Sequence, residues 1–259
     1  VIPHAGHEHT RVFEECAHLG EELVELGDAL LDSRTNARVG LLFDWENWWA
    51  LEFSSGPSAD LKYLPQIEKY YRACWSQNIP VDIISPAMDM DDYDVVIAPV
   101  AYLLQPGYAQ RVEEFVSRGG TFLTTFFSGI VDDNDGVVLG GYPGELRRVT
   151  GVWVEEIDCL FPDLRNAIEI PDTLPELAGS HQVGLLCDLI HGETAEVVGT
   201  YATDFYAGRP ALTRNKFGHG WAWYLASDPR QEFVNRLVRY ICNEKGIAPI
   251  LETPAGIEV

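Results

Sequence analysis

The chain has 259 residues, of which 46% are apolar and 11% aromatic, a composition typical of a globular protein with a full core. Lysine and arginine number 18 against 40 aspartates and glutamates, so the formal net charge is −22. A surface this acidic repels phosphate backbones and anionic lipid, so we expect no nucleic-acid partner and no membrane partner.

The cysteines and the start of the chain indicate a reducing compartment. The five cysteines are scattered, odd in number and never in a CxxC pair, which disfavours a disulfide framework or a structural zinc site. No basic and then apolar leader opens the chain. We therefore expect a cytoplasmic location. Because the first residue is Val1 rather than methionine, we also expect a processed chain or a piece of a longer one.

The first predicted element is an amphipathic helix that starts after Thr10. Apolar residues from Val12 to Leu31 recur at roughly helical spacing, and Thr10 is a suitable N-cap. No strand precedes this helix. Its apolar stripe therefore has to pack either on the domain that follows or on another domain.

The next part of the chain alternates apolar strands with helices. We predict helices over 61–78 and 106–120. The predicted strands are 37–44, 80–85, 93–100 and 121–127. Near-continuous apolar strands separated by helices are typical of a parallel sheet that is covered on both faces. We therefore predict an α/β fold with a flavodoxin-like doubly wound sheet.

From residue 128 onward, short strands dominate and one last helix is predicted over about 229–245. The predicted strands are 152–158, 166–170, 195–202, 210–217 and 221–227, and the last two are joined at 218–220. Successive short strands indicate an antiparallel extension of the parallel sheet. One α/β domain with this extension, preceded by the first helix, accounts for the chain.

The stretch FDWENWWALE, residues 43–52, combines tryptophans with acids directly after the first strand. We interpret it as a loop at the carboxyl edge of the sheet, where α/β proteins bind ligands. Catalytic carboxylate pairs of glycosidases usually come from separate elements, and tryptophan is enriched at subunit interfaces. We predict an interface or a pocket wall, with ordinary packing and catalysis as the alternatives. The residues concerned are Asp44, Trp45, Glu46, Trp48, Trp49 and Glu52.

The segment TFFSG, residues 125–129, follows the fourth strand. In class I glutamine amidotransferases, a related doubly wound fold, the turn at this place carries a nucleophilic cysteine. Here Phe127 and Ser128 occupy the turn, and Ser128 is a nucleophile only if a histidine base reaches it. The downstream histidines are His181, His191 and His219, none in a distinctive context. We interpret Phe127 and Ser128 as a vestigial nucleophile elbow.

Two motifs resemble metal sites and fail on inspection. In VDDNDG, residues 131–136, alignment with a calcium loop places Tyr142 where a bidentate glutamate is needed. His4, His7 and His9 lie in one terminal segment, whereas structural zinc sites draw ligands from more than one segment. No phosphate-binding or dinucleotide-binding glycine motif is present. We predict no metal and no cofactor.

Several long stretches resemble glycoside hydrolase family 42, the retaining β-galactosidases. They are VIPHAG, LGEELVEL, ARVGLLFDWENWWALE, YDVVIAPVAYLL, GGTFLTTFFSGIVDDNDGVVLGGYPGELRRVTGVWVEE and FGHGWAWYLAS. Proteins of that family have a catalytic TIM barrel with two glutamates, then an amidotransferase-like middle domain that forms trimers, then a small β domain. The resemblance covers nearly the whole chain.

The resemblance implies that residues 1–34 are the C-terminal tail and last helix of a (β/α)8 barrel and that 35–259 are the trimerisation domain. It implies a cytoplasmic homotrimer of carbohydrate metabolism that hydrolyses terminal non-reducing β-D-galactose residues. Its β-galactoside substrate binds the barrel, which is absent here, so this chain holds no catalytic residue. The tryptophans then lie at the subunit seam or wall the neighbouring subunit's pocket.

Two alternatives from other classes stay open. One is a stand-alone amidotransferase-like hydrolase that uses Ser128 or Cys187 with a nearby histidine. The other is a sugar-binding module without catalysis. The hydrolase requires a serine or cysteine within hydrogen-bond reach of a histidine, whereas the binding module requires only a sugar-binding surface.

Overall fold

A computed structural model describes residues 4, 6–54, 56–254 and 257. Residues 1–3 and 5 of the predicted tail, and residues 55, 255, 256, 258 and 259 of the predicted trimerisation domain, therefore lie outside the described residues. The chain divides into two compact units, Val1–Asn36 and Ala37–Val259. Within the described residues, no helix combines the length and apolar composition needed to cross a membrane.

The first unit contains the predicted amphipathic helix, α1, at Arg11–Leu30. Thr10 caps it, because its side-chain oxygen accepts a hydrogen bond from the Phe13 N–H at 3.4 Å. None of the residues of α1 is buried, although its sequence is amphipathic. Leu19, Leu23 and other large apolar side chains of this helix are therefore exposed.

The second unit begins with the predicted parallel half. Its strands are β1 (Val39–Leu42), β2 (Val81–Ile84), β3 (Val95–Ala98), β4 (Thr121–Thr125) and β10 (Gly220–Leu225). All neighbours in the order β2-β1-β3-β4-β10 are parallel. β1, β3 and β4 are buried along their whole length, as expected for strands covered on both faces.

Antiparallel strands extend this sheet on the other side of β10. They are β5 (Val152–Cys159), β6 (Asn166–Ile170), β7 (Gly179–Gly192), β8 (Glu196–Tyr201), β9 (Pro210–Phe217) and β11 (Ser227–Pro229). The order continues from β10 through β9, β8, β6 and β7 to β11, and β5 pairs with β7. The chain thus forms a mixed, sheet-dominated α/β domain.

Strand β7, which the sequence did not predict, organises the extension. It pairs with β5, β6 and β11, and it is longer than any predicted strand. Its first residues, Ser180 to Gln182, are polar, and Gly184 interrupts the pattern, so periodicity gave no signal. The predicted strand over 221–227 is also divided, because β10 ends at Leu225 and Ser227 belongs to β11.

Helices cover both faces of the sheet. They are α2 (Trp45–Phe53), α3 (Tyr63–Trp75), α4 (Tyr108–Ser117), α5 (Arg147–Thr150) and α6 (Gln231–Glu244). Buried residues of α3 and α6 share one apolar core with the extension, whereas those of α4 and α5 form a second core. The carboxyl ends of β1, β3 and β4 form the edge of the sheet at which the candidate site lies.

Candidate functional site

The tryptophan stretch is a helix rather than the loop that we predicted. Asp44 is the N-cap of α2, and its Oδ1 accepts a hydrogen bond from the Glu46 N–H at 3.0 Å. The residues after Asp44 contain no glycine or proline up to Phe53, so nothing opposes the helix once it is capped. The side chains of this segment therefore have fixed directions.

Helix α2 directs two of its tryptophans outward. Trp45 and Trp49 are 56% and 52% exposed, whereas Trp48 is half-buried and packs on the core. The Trp45 ring centroid lies 5.4 Å from that of Trp48 and 6.2 Å from that of Trp49. Phe53, at the end of the helix, is 87% exposed. Clustered exposed aromatics of this kind mark interaction surfaces. We call Trp45, Trp49 and Phe53 the aromatic surface.

A buried asparagine fixes the inner side of α2. Asn47 Nδ2 donates to the Val100 carbonyl oxygen at 3.0 Å, and its Oδ1 accepts from the Leu103 N–H at 2.7 Å. Val100 has φ 46°, an uncommon conformation for a β-branched residue, and its N–H donates to Thr125 Oγ1 at 2.8 Å. Asn47 thus joins α2 to the strained turn after β3, and the aromatic surface has a rigid base.

Each acid of the stretch has a structural partner. Asp44 is buried as the helix cap, and this burial raises the pKa of its carboxyl. The Glu46 carboxylate accepts a hydrogen bond from Gln105, and Glu52 Oε1 accepts one from the Tyr63 N–H at 3.2 Å. The three carboxylates therefore cap and anchor α2, and none faces a second acid across a cleft as glycoside cleavage requires.

The elbow position is a tight turn after β4 with one residue in the left-handed backbone region. Phe127 has φ 56°, and its ring stacks on Tyr102 with centroids 5.2 Å apart. Ser128 is fully buried. Its Oγ donates to the Thr125 carbonyl oxygen at 2.7 Å and accepts from the Ala101 N–H at 3.0 Å. Ser128 therefore bonds backbone groups within the fold.

Two of the three histidines of the hydrolase alternative bond other groups through their side chains. His181 Nε2 lies 2.7 Å from the Leu177 carbonyl oxygen, and His191 Nε2 lies 2.6 Å from Glu155. Among the described residues, no histidine is a hydrogen-bond partner of Ser128. Burial raises the pKa of the Cys187 thiol to about 12, so this cysteine is protonated at neutral pH. Neither side chain has the geometry of an activated nucleophile.

A buried aspartate that the sequence did not single out holds the elbow. Asp188, on β7, accepts at Oδ2 from the Phe127 N–H at 3.0 Å and from the Tyr224 hydroxyl at 2.6 Å. Its Oδ1 has no hydrogen-bond partner among the described residues. Burial raises the pKa of Asp188 to about 7. Asp188 was missed because β7 itself was not predicted.

The motifs that resemble metal sites form local turns. Asp132 Oδ1 accepts from the Asn134 and Gly136 N–H groups at 2.9 and 2.8 Å, which closes the acidic loop on itself. His7 and His9 belong to a short, exposed 3-10 helix, and His4 is exposed beside it. In the part of the chain that the structure describes, no three histidine, cysteine or acidic side chains are grouped to hold a metal ion.

Comparison with known proteins gives a consistent match. A family model described as the β-galactosidase trimerisation domain matches residues 37–248. The chain is 56% identical to β-galactosidase BgaA of Planococcus sp. (strain 'SOS Orange') and 44% identical to β-galactosidase Pbg of Clostridium perfringens. These matches cover 100% and 99% of the chain but only 38% of each relative.

Solved structures agree with these relatives. The crystal structure of β-galactosidase from Bacillus circulans sp. alkalophilus superposes with a TM-score of 0.92 at 56% identity, and the match covers 100% of this chain and 38% of that one. The β-galactosidase of Rahnella sp. R3 superposes with a TM-score of 0.87 at 40% identity, over 98% of this chain and 38% of that one. The chain therefore spans less than half the length of the proteins that it matches.

Proposed function

Since this chain belongs to the family of β-galactosidase trimerisation domains, we propose that it is the self-association part of a homotrimeric β-galactosidase of glycoside hydrolase family 42. The catalytic groups of that enzyme lie outside this chain. The match over residues 37–248 falls within the unit Ala37–Val259, which supports assigning the association role to this unit. The observation that carries the proposal is the aromatic surface on a helix anchored by Asn47.

The proposed activity of the whole protein is hydrolysis of terminal non-reducing β-D-galactose residues with retention. Relatives that are 56% and 44% identical are named β-galactosidases, which supports this proposal. We propose that residues 1–34 are the end of a (β/α)8 barrel, because α1 exposes an apolar face that needs a partner. A cytoplasmic location fits the five unpaired cysteines.

We propose that the parallel half is flavodoxin-like and related to the class I glutamine amidotransferases. Its strand order, β2-β1-β3-β4-β10, is that of flavodoxin-like sheets when β10 is counted as the fifth strand. The positive φ of Phe127 at the end of β4 fits a nucleophile elbow that carries no nucleophile. The buried, backbone-bonded Ser128 supports an elbow whose role is structural.

The aromatic surface has two candidate roles in a trimer. It lies either at the seam between subunits or along the wall of the neighbouring subunit's sugar pocket. The seam is favoured by the two exposed tryptophans and Phe53, since aromatic side chains dominate the energy of subunit interfaces. The pocket wall is favoured by the position of α2 directly after β1, at the carboxyl edge where α/β sheets bind ligands.

The experiment compares Trp49→Ala with Trp75→Ala in the whole enzyme. Trp75 is a matched control because it is also an exposed tryptophan, but it ends α3 instead of lying on α2. Loss of an interface tryptophan weakens association roughly 10- to 30-fold. We expect sedimentation to show trimer dissociation at higher protein concentration for Trp49→Ala, and no change for Trp75→Ala.

Galactoside kinetics separate the two roles. If the aromatic surface is a seam, activity per assembled trimer is unchanged and only its concentration dependence shifts. If it is a pocket wall, KM rises in trimers that remain intact. Trp48→Ala, which affects the half-buried neighbour, is measured in the same way. Unchanged assembly and unchanged kinetics in all three α2 tryptophan variants (including Trp45→Ala) would refute both roles.

A further inference from the structure

A cavity of about 460 Å³ lies beside the first half of α3. It is lined by α3 and the loop before it, the loop between β5 and β6, strand β7, and β11 with the residue after it. Its lining includes no residue of α2 or of the elbow. The volume is within the range of small-molecule sites, which combine apolar walls with a few polar groups.

The central feature of this cavity is a buried amide that has no partner in the fold. Gln66, on α3, is only 5% exposed and lines the cavity. Its amide oxygen and nitrogen make no hydrogen bond within the described residues, but unlike Ser76 Oγ and Tyr108 Oη they keep contact with solvent. Buried polar groups are nearly always paired. A ligand in the cavity that both donates and accepts hydrogen bonds supplies the missing partners.

A largely buried ion pair forms another part of the lining. Lys69 Nζ bonds Asp228 Oδ1 and donates to the Pro229 carbonyl oxygen at 3.0 Å. The Lys69 and Asp228 side chains are only 19% and 18% exposed. Because the two charges neutralise each other, the pair adds no net charge to the cavity. Asp228 Oδ2 accepts no hydrogen bond within the described residues, so it is available to a donor on a ligand.

Close packing between β7 and the loop after β5 fixes a further wall. A Cβ on Gly184 would lie 3.3 Å from Cδ of Arg165, so glycine allows this arginine to lie close to β7. Leu185 has φ 63°, and its carbonyl oxygen accepts a hydrogen bond from the Leu160 N–H at 3.0 Å. A strained backbone of this kind persists only where the surrounding structure holds it. The wall is therefore preformed.

The lining groups favour a neutral, hydroxylated ligand. The Asp60 carboxylate and the Arg165 and Arg230 guanidinium groups supply acceptors and donors beside the neutral ion pair. An anion only accepts hydrogen bonds, so it would leave the carboxylates of Asp60 and Asp228 without a donor. Hydroxyl groups of a sugar donate as well as accept. Apolar residues of the lining, Pro65 among them, offer surface to the carbon atoms of a sugar ring.

We propose that this cavity binds a neutral sugar of one ring. The Gln66 amide donates to one hydroxyl group and accepts from its neighbour, and Asp228 Oδ2 accepts from a further hydroxyl. The guanidinium groups of Arg165 and Arg230 donate to sugar oxygens. The inference is independent of the proposed trimerisation, because no residue of the aromatic surface takes part in it.

The test is calorimetric titration of the whole enzyme with D-glucose, tetrahydropyran-2-methanol and inorganic phosphate. Tetrahydropyran-2-methanol has the ring of glucose without the ring hydroxyl groups, and phosphate probes for an anion site. We expect saturable binding of glucose and no binding of the other two compounds at the same concentrations.

Gln66→Met is expected to weaken glucose binding at least tenfold, because methionine keeps the unbranched shape but loses both hydrogen-bonding ends. Gln110→Met is the matched control and is expected to bind glucose as the parent does. Gln110 is an exposed glutamine on α4, which packs on the second core. Binding elsewhere in the enzyme is common to the parent and both variants, so their difference reports this cavity.

The stability of Gln66→Met separates a binding role from a structural one. Because the Gln66 amide has no partner in the fold, Gln66→Met should unfold at a urea concentration equal to or higher than that of the parent. Saturating glucose should raise the midpoint of the parent more than that of the variant. A lower midpoint for Gln66→Met without sugar, or failure to fold, would show that the amide is bonded within the fold and would overturn the proposal.

Arg230→Gln provides a second variant at an exposed position. The Arg230 side chain makes no hydrogen bond to a described residue, so its replacement should leave the fold intact and weaken glucose binding severalfold. The proposal is refuted if glucose does not bind saturably, or if phosphate or tetrahydropyran-2-methanol binds as tightly as glucose. It is equally refuted if Gln66→Met and Arg230→Gln both bind glucose as tightly as Gln110→Met does.

Discussion

Helix α2 and the elbow at Phe127 follow two strands of the same parallel half, yet they have opposite surfaces. Around the elbow, Phe127 and Ser128 are buried, and their polar groups bond Asp188 and backbone. On α2, the polar Asn47 points inward, and Trp45 and Trp49 point outward. The edge that binds ligands in other α/β folds is thus closed at the elbow and exposes aromatic side chains at α2.

The two strained turns of this edge are each held by buried polar groups. The left-handed φ of Phe127 is the kind of strain that catalytic turns carry, and here it persists because Asp188 accepts the N–H of that residue. The strained φ of Val100 is held in the same way by Asn47 and Thr125. Both strained turns serve to fix the edge, and of the elbow and α2 it is α2 that exposes aromatic side chains. The predictions that follow test each half of this contrast.

The largest effect is expected for Gly129→Ala, next to the elbow. Gly129 has φ 64°, and a Cβ there would lie 2.0 Å from the Pro143 carbonyl oxygen. The left-handed backbone and the clash together should lower the free energy of unfolding by about 3–5 kcal/mol. Gly246→Ala is the control, because its φ of 61° is similar but its Cβ meets open space. Urea denaturation should show a loss of only about 1 kcal/mol for it, and equal losses would contradict the closed elbow.

Asp188→Ala is expected to have the next largest effect. It removes the acceptor of both the Phe127 N–H and the Tyr224 hydroxyl, which are buried. The free energy of unfolding should fall by about 2–4 kcal/mol. Asp188→Asn keeps an acceptor oxygen in the same place and should restore most of this loss. Denaturation curves of the parent, Asp188→Ala and Asp188→Asn at pH 5 measure these differences. If Asp188→Ala is as stable as Asp188→Asn, Asp188 does not hold the elbow.

The stability of the parent protein relative to Asp188→Asn is also expected to depend on pH. Burial raises the pKa of Asp188 to about 7 in the folded state, above the value of about 4 expected in the unfolded chain. Between these values the folded state holds a proton that the unfolded state releases, so this group's stabilising contribution falls as pH rises. The parent should therefore lose stability relative to Asp188→Asn from pH 5 to about 7, with little further change above. If the difference in unfolding free energy between the parent and Asp188→Asn is constant from pH 5 to 8, the raised pKa of Asp188 is contradicted.

The sequence predicted the parallel half because β1, β3 and β4 are apolar throughout and buried on both faces. It placed the tryptophans correctly after β1 but on a loop instead of a helix. Trp45, Trp48 and Trp49 stand at i, i+3 and i+4, the spacing of one helix face, and this signal for α2 was overlooked. Asn47 and Asp188 escaped notice because their partners are 56 and 61 positions away along the chain. Pairs of polar groups that are far apart along the chain leave no local pattern in the sequence. Asp188 was harder still to find because its strand, β7, was not predicted.

A moderate effect is expected for Asn47→Ala, on the inner side of α2. The variant leaves the Val100 carbonyl and the Leu103 N–H without their buried partner, which should cost about 2–3 kcal/mol of unfolding free energy. Asn134→Ala is the control, because Asn134 is exposed in the acidic loop and should change stability by less than about 0.5 kcal/mol. If both variants unfold at the same urea concentration, Asn47 does not anchor α2.

The smallest effect on stability is expected for Trp45→Ala, on the outer side of the same helix. More than half of this side chain already contacts solvent, so its removal should cost less than about 1 kcal/mol in the dissociated chain. Asn47→Ala should thus unfold the chain more easily but leave the outer aromatic rings in place, whereas Trp45→Ala should weaken association and spare the fold. Urea denaturation at protein concentrations too low for association measures the stability of the fold. Sedimentation at higher protein concentrations measures the association. If Trp45→Ala destabilises the isolated chain as much as Asn47→Ala does, the indole belongs to the core, and α2, like the elbow, is an internal feature of the domain.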